Sequence, residues 1–232
     1  MAQAKLLIVV PCRDRRSLIE LCLPTLADSK ASGDMLVLAN DGSTEYGPDF
    51  LKTWADEVWN TEAPRGIEMQ RRSHFALYWE RREVFSHAYF TDSDCIHDPD
   101  WRRVALALQE EHDAPVCLYD TQVHADMQNN TTEDDPAKNV IFRKVAPGVS
   151  YLLTREHVSR IMPVLHNMNH WDWLTPALLG HRMAISRTSY VDHIGWKGMH
   201  HKEQDGVGGG DRARNPTEWL VRKRAEVVEC LQ

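Results

Sequence analysis

Residues 89–94 read Tyr89-Phe90-Thr91-Asp92-Ser93-Asp94, an apolar, strand-like run that stops at two carboxylates one residue apart. In an extended backbone the side chains of residues i and i+2 point to the same side, so Asp92 and Asp94 can converge on one target. Two hard oxygen ligands at a strand end suit a divalent cation that carries phosphates. The alternative is a solvated turn, because Asp and Ser are favoured turn residues. The rest of the sequence has to separate these two interpretations.

Short apolar runs alternate with helical segments from the start of the chain to about residue 120. Residues 6–10 and 35–39 have the pattern of strands buried on both faces, and residues 57–60 form a weaker third strand. This alternation predicts an α/β fold with a mostly parallel central sheet flanked by helices. Ligands bind such sheets beyond the carboxyl ends of the strands. Pro11, Asp41 and Asp92 all lie at such ends.

The remaining segments are predicted from composition and capping signals. Residues 65–85 are mostly helical, and Asp98-Pro99 opens a further helix with Asp98 as its cap. The polar residues 121–138 predict a long loop, either an acceptor-facing flap or surface disorder. Residues 149–154, 184–186 and 189–192 are predicted strands, and 156–162 and 171–179 predicted helices. The sequence Asn215-Pro216-Thr217-Glu218 starts a final helix.

Composition limits the classes of protein that the chain can represent. It has 232 residues and a formal net charge of −7, which argues against a surface devoted to nonspecific nucleic-acid binding. The helical segment 65–85 nevertheless carries enough arginine for a local basic groove. Five scattered cysteines without Cys-x-x-Cys spacing indicate reduced thiols. No apolar run approaches the roughly 20 residues that span a bilayer, so we expect a cytoplasmic protein without a membrane span.

Two further regions could carry chemistry. Asp41 precedes Gly42, which permits a tight turn, and its carboxylate could bind a base or a ribose or belong to an ordinary turn. Residues 193–201, His-Ile-Gly-Trp-Lys-Gly-Met-His-His, are rich in histidine. A histidine beside an aspartate would complete a site for Mn²⁺ or Mg²⁺. Lys197 and the glycines suit a loop over phosphates, and a solvated loop is the alternative.

A carboxylate lies between two large aromatic residues in His170-Trp171-Asp172-Trp173. Aromatic surface desolvates a carboxylate, which raises its pKa and favours a role as general base. Aromatic faces also stack on sugar rings. The competing interpretation makes Asp172 a helix N-cap and both tryptophans part of the core.

Taken in order, these motifs resemble the nucleotide-sugar glycosyltransferases of the Rossmann-like GT-A fold, most closely family 2. The resemblance covers about residues 5–201. It rests on a buried strand ending in proline, Asp-Gly-Ser after the next strand, a glycine and then arginines on a helix, Asp-x-Asp, an aromatic–acidic pair and a late His-Ile-Gly. It implies a nucleotide-sugar-binding half at residues 1–120, an acceptor-binding half at 121–214 and a C-terminal helix at 215–232, all within one domain.

The resemblance implies roles for individual residues. Asp41 would contact the base, Gly66 with Arg71 or Arg72 the nucleotide, and Asp92 the ribose or a metal-bound water. Asp94 and His193 would bind Mn²⁺ or Mg²⁺, with His200 and His201 as alternative histidine ligands. Asp172 would be the general base. The full set that we expect to bind the nucleotide sugar is Pro11, Arg13, Asp41, Gly66, Arg71, Arg72, Asp92, Ser93, Lys197, His200 and His201.

The chain departs from the family pattern at three positions. Asn40 stands where the family often has a second Asp, Ser73 follows the arginines where Asn is usual, and Trp171 precedes the base where Glu is usual.

The implied reaction moves a sugar from a nucleoside diphosphate donor to an acceptor hydroxyl with inversion, while residues 197–211 close over the donor. The acceptor could be a saccharide, a protein, a small molecule or a modified nucleic-acid base. Two other functions fit the same motifs. One is nucleotidyl transfer or metal-assisted hydrolysis of a phosphate ester on the same fold, and the other is binding of a nucleotide sugar without catalysis.

Overall fold

The computed structural model describes residues 4–195 and 212–231. Nine strands of this part form one sheet in the order β3-β2-β1-β4-β9-β6-β10-β8-β7. Their bounds are β1 (Leu6–Cys12), β2 (Met35–Asp41), β3 (Glu57–Thr61), β4 (His87–Thr91), β6 (Val116–Cys117), β7 (Thr131–Asp135), β8 (Val140–Arg143), β9 (Ser150–Thr154) and β10 (Met183–Ser186). Two further strands, β5 (Cys95–His97) and β11 (Val191–His193), pair with each other.

The helices cover the sheet and connect its strands. They are α1 (Arg16–Ala27), α2 (Pro48–Leu51), α3 (Ile67–Arg81), α4 (Trp101–His112), α5 (Gln122–Asp126), α6 (Arg155–Ile161), α7 (Trp171–Leu178) and α8 (Glu218–Leu231). Short 3₁₀ segments lie at Pro136–Lys138 and Met162–Asn167. Within the described residues, every helix is too short or too polar to cross a membrane.

The first four strands of the sheet are parallel, as the alternating sequence pattern predicts. β1 pairs with β2 and β4, and β2 pairs with β3, all in parallel. Residues 6–10 of β1 are fully buried, because helices cover both faces of the sheet there. The carboxyl ends of β1, β2 and β4 therefore meet at one rim of the sheet, which is the place where the candidate site residues come together.

The second half of the sheet is mixed. β9 runs antiparallel to both β4 and β6, β6 and β10 are parallel, and β8 pairs antiparallel with β10 and β7. One continuous sheet thus joins the two predicted halves, and the chain forms a single α/β domain as expected. All five cysteines are free.

Two predicted elements were wrong. Residues 121–138 are not one long loop, because they contain α5 and the edge strand β7. Charged side chains on an edge strand discourage pairing with another chain, so the acidic run at 133–135 is compatible with a strand there. Helix α4 begins at Trp101 rather than at Pro99. Asp98 accepts a hydrogen bond from the backbone N–H of Asp100 (2.8 Å) and one from Thr217 Oγ1 (2.7 Å), which ties the start of α4 to the start of α8.

Candidate functional site

The paired aspartates lie directly after β4, at the rim where the parallel strands end. Asp94 is buried and Asp92 is half-buried. Antiparallel pairing of β11 with β5 sets His193 opposite Cys95, next to Asp94. As a result His193 Nε2 lies 3.1 Å from Asp94 Oδ2, and potential ligand atoms of Asp92, Asp94 and His193 all lie within 4.8 Å of one another. The predicted metal ligands are therefore adjacent in space although Asp94 and His193 are 99 positions apart in the chain.

Arg15 is a further member of this cluster that the sequence analysis missed. Its Nη1 donates to Asp94 Oδ2 at 2.5 Å. Two consecutive residues in the left-handed region, Asp14 (φ 48°) and Arg15 (φ 55°), turn the chain after β1 so that the guanidinium faces β4. Asp14 holds this turn by accepting hydrogen bonds from the backbone N–H and hydroxyl of Thr44 and from Ser43 Oγ. The available signal was the basic run 13–16 immediately after the first strand.

Opposite charges control ionisation in the cluster. Burial raises the pKa of Asp94, but the neighbouring His193 and Arg15 outweigh it and hold the pKa well below its usual range. Burial lowers the pKa of His193, and the Asp94 carboxylate overcomes that effect and raises the pKa to about 9. Asp94 is therefore ionised at neutral pH. Its Oδ1 is buried and has no hydrogen-bond partner among the described residues.

Gly195 leaves no space for a side chain beside this carboxylate. A Cβ at residue 195 would lie 1.8 Å from Asp94 Oδ2 and 2.9 Å from Arg15 Nη1. The backbone after β11 therefore packs directly against the ion pair, and any residue other than glycine would displace one of its members.

Asp41, at the end of β2, joins that strand to the start of α3. Its carboxylate accepts hydrogen bonds from the backbone N–H groups of Arg65 (2.7 Å) and Gly66 (2.9 Å) and from Gln70 Nε2 (2.9 Å). Gly66 has a φ of 82°, a conformation that favours glycine. The buried Asp41 thus shapes the loop in which the predicted Gly66 lies, and both are at the same rim as Asp94.

The structure distinguishes Arg71 from Arg72. The Arg71 side chain is fully buried, donates from Nη2 to Asp92 Oδ1 (2.5 Å) and to the carbonyl of Thr91 (3.2 Å), and packs 4.5 Å from the Trp171 ring. Arg72 points to a different segment, where it donates to the carbonyl of Met168 (3.0 Å) and to Asn169 Oδ1 (2.8 Å). Of the two arginines, only Arg71 joins the aspartate cluster, and a contact of Arg72 with the nucleotide stays a prediction.

Asp172 lies in the first turn of α7 and is not its N-cap. The N-cap position is His170, which has a left-handed backbone (φ 51°), and Asp172 Oδ1 accepts from the backbone N–H of Trp173 (3.1 Å). Trp171 is buried and Trp173 is 50% exposed, so only one of the tryptophans belongs to the core. Burial raises the pKa of Asp172, as expected for a base next to aromatic surface.

The other predicted residues occupy several environments. Pro11 is half-buried in β1, where it lies opposite Ala39. Arg13 is directed at its neighbour Asp14 (Nε to Oδ2, 3.7 Å), and its contact with the nucleotide sugar stays a prediction. Ser93 is buried against Cys12. Lys197, His200 and His201, and the segment 197–211 predicted to close over the donor, lie outside the described residues.

The sequence model of glycosyl transferase family 2 matches residues 7–193. The chain belongs to this family. The family predicted from the order of motifs is thereby confirmed. A search of curated proteins found no match to the chain.

Solved glycosyltransferases have the same fold as this family 2 chain. The structure of S. aureus TarS 1–349 in complex with UDP-GlcNAc superposes with a TM-score of 0.59 at 15% identity, covering 85% of this chain and 60% of TarS 1–349. The mannosyltransferase PcManGT from Pyrobaculum calidifontis, in complex with GDP-Man and Mn²⁺, gives a TM-score of 0.57 at 16% identity, covering 78% and 56%. This chain thus spans less than two thirds of either protein.

Proposed function

We propose that the chain transfers a sugar from a nucleoside diphosphate donor to an acceptor hydroxyl with the help of a divalent cation, and that the transfer inverts the anomeric centre. The observation that carries this proposal is the grouping of Asp92, Asp94 and His193 at the strand ends of a family 2 chain. The neighbours crystallised with UDP-GlcNAc and with GDP-Man and Mn²⁺ support the choice of donor and cation.

The residues of the cluster fit Mn²⁺ or Mg²⁺. Asp94 Oδ1 is a buried, ionised oxygen without a hydrogen-bond partner among the described residues, and a cation would satisfy it. Two carboxylates with one imidazole are a suitable donor set, in which Asp94 and His193 would hold the ion and Asp92 would lie next to it. A bound cation would neutralise charge on the leaving diphosphate.

The protein's own side chains would bind and orient the reactants. Arg15 and Arg71 contribute the positive charge of this rim, and Arg71 Nε and Nη1 have no hydrogen-bond partner among the described residues. Both cations would favour the diphosphate. Asp41 would position the base through the loop that it holds. Asp172 would take the proton of the acceptor hydroxyl as that oxygen attacks the anomeric carbon, and a raised pKa makes it a stronger base.

The proposal is tested by measuring nucleoside diphosphate release from UDP-GlcNAc and GDP-Man in Mn²⁺, with and without an acceptor. We expect release by the unaltered chain and at least about a 100-fold loss in Asp94→Asn, since removal of one charge-stabilising group costs about 10²–10³ in rate. Asp49→Asn, which changes an exposed carboxylate paired with Lys52, is the control. Near-normal turnover by Asp94→Asn would refute the metal assignment.

Asp172→Asn tests the base separately. Asparagine has the size and shape of aspartate but cannot act as a base. We therefore expect donor binding to persist while transfer to the acceptor falls. Transfer at the unaltered rate would mean that another group removes the proton. Release of pyrophosphate from nucleoside triphosphates, in place of nucleoside diphosphate from sugar nucleotides, would support the nucleotidyl-transfer alternative instead.

A further inference from the structure

Exposed apolar side chains lie at the start of α7, which carries Asp172, and at the start of α3. Among the described residues six large apolar side chains are exposed, and three of them, Ile67, Met69 and Trp173, belong to the first turns of α3 and α7. Trp173 is the one exposed aromatic in that set, with half of its surface accessible. The Trp173 indole directly follows the candidate base, and its exposed half is available to a ligand.

A hydrogen bond holds these two helix starts together. Glu68 Oε1 accepts from the backbone N–H of His170 at 2.8 Å, which brings the first turn of α3 next to the first turn of α7. Glu68 Oε2 is buried without a hydrogen-bond partner among the described residues. After burial, the charge of Glu68 is the other influence that raises the pKa of Asp172, so the two carboxylates are close. The surface beside Asp172 therefore combines the Trp173 indole with two carboxylates.

We propose that this surface is the acceptor site and that the acceptor is a neutral saccharide whose terminal ring stacks on Trp173. The inference rests on the proposed function, because any molecule that gives its hydroxyl proton to Asp172 must lie against these residues. A sugar ring offers an apolar face to the indole and a hydroxyl donor to the Asp172 carboxylate. The carboxylates of Asp172 and Glu68 repel a phosphate group next to Trp173, which makes nucleic acid the poorer fit at this position.

A groove continues from this surface and indicates an acceptor longer than one sugar. Arg72 Nη1 lies 3.7 Å from Met69 Sδ, and the same arginine lines a groove between α3 and the 3₁₀ segment Met162–Asn167. The groove has a volume of about 390 Å³, within the range of small-ligand sites. Arg72, which does not reach the aspartate cluster, thus has a place at the entrance to this groove, where further sugar rings would lie.

Saccharide binding can be measured without donor or turnover. We would titrate the chain with neutral trisaccharides of glucose, mannose, galactose and N-acetylglucosamine, and with a thymidine oligonucleotide and a serine-rich peptide, using saturation-transfer NMR and calorimetry. For the best trisaccharide we expect the affinity of Trp173→Ala to fall at least about tenfold and that of Trp173→Phe to stay within about threefold. Val84→Ala, which removes another exposed apolar side chain, is the matched control.

Kinetics then place the effect on the acceptor side. In the transfer assay, Trp173→Ala should raise the KM for the acceptor at least about tenfold with a much smaller change in the KM for the donor. The inference is overturned if no trisaccharide binds, if Trp173→Ala binds as tightly as the unaltered chain, or if only the oligonucleotide or the peptide binds. Because binding is measured without donor, absence of glycosyl transfer would contradict the proposed function and leave a positive saccharide titration standing as a separate result.

Discussion

Gly195→Ala adds one methyl group, changes no charge, and should disable the aspartate cluster. The new Cβ would start 1.8 Å from Asp94 Oδ2, whereas real Cβ contacts are essentially never shorter than 3.0 Å. The two atoms must therefore separate by at least 1.2 Å, the difference between these values. Asp94 is buried and held by Arg15 at 2.5 Å and His193 at 3.1 Å, so a shift of that size breaks one or both contacts.

The size of the effect follows from this displacement. Over-packing a well-filled site costs about 1–3 kcal/mol, so the free energy of unfolding should fall by that amount. A misplacement of about 1 Å can cost about 100-fold in catalysis. We therefore expect Mn²⁺ affinity to fall at least about tenfold and donor turnover about 100-fold. Urea unfolding, Mn²⁺ titration followed by electron paramagnetic resonance, and nucleoside diphosphate release measure the three quantities.

Gly47→Ala is the matched control for this substitution. Gly47 has an ordinary backbone conformation (φ −94°), and a Cβ there would meet nothing within 4 Å. It should leave Mn²⁺ binding and turnover unchanged. If Gly195→Ala binds Mn²⁺ as tightly as Gly47→Ala, then Asp94 is not a ligand in the position described, and the assignment of the cluster fails.

Three other perturbations give distinct signatures. Arg71→Met keeps a side chain of similar length next to Trp171 but removes the hydrogen-bond partner of Asp92. The free energy of unfolding measured in urea should therefore fall by about 1–3 kcal/mol. An unchanged value would show that the Arg71–Asp92 ion pair does not stabilise the fold. Arg15→Gln removes a positive charge beside Asp94. The guanidinium would repel a bound Mn²⁺ by several kcal/mol, because both are cations close together near a surface. The Mn²⁺ affinity measured by calorimetry should therefore rise at least about tenfold, and a constant affinity would contradict this reasoning. Burial lowers the pKa of His157 to about 4, below the roughly 6.5 of an unfolded histidine, so its stabilisation is present above pH 6.5 and lost as pH falls toward 4. Urea unfolding should therefore show about 2 kcal/mol more loss between pH 7.5 and pH 5 for the unaltered chain than for His157→Gln, and equal losses would refute the buried neutral state.

The strand-end residues could be predicted because they depend on local pattern. Apolar runs that end at Asp41 and Asp92 identify buried parallel strands. The carboxyl ends of such strands lie at the same rim of the sheet, whatever the conformation of the loops that follow them. The spacing of Asp92 and Asp94 was enough to expect both carboxylates in one place. The order of these motifs then gave the family.

The features that the sequence pattern missed or left open depend on geometry that the pattern does not contain. Arg15 reaches Asp94 only because two consecutive left-handed residues turn the chain after β1. Arg71 and Arg72 are adjacent on one helix and about 100° apart around its axis, so only the position of α3 shows which one faces Asp92. Strand β7 was missed because its acidic residues have low strand propensity, and its pairing with β8 overrides that preference.

The central claim is that Asp94 and His193 hold the cation that serves the donor. A crystal of the chain grown with Mn²⁺ and UDP-GlcNAc or GDP-Man, with anomalous scattering recorded at the manganese edge, tests it directly. We predict one anomalous peak within coordination distance of Asp94 and His193 and in contact with the donor diphosphate. A manganese peak at another position, or a bound donor with Arg15 still paired to Asp94 and no peak beside them, would contradict it.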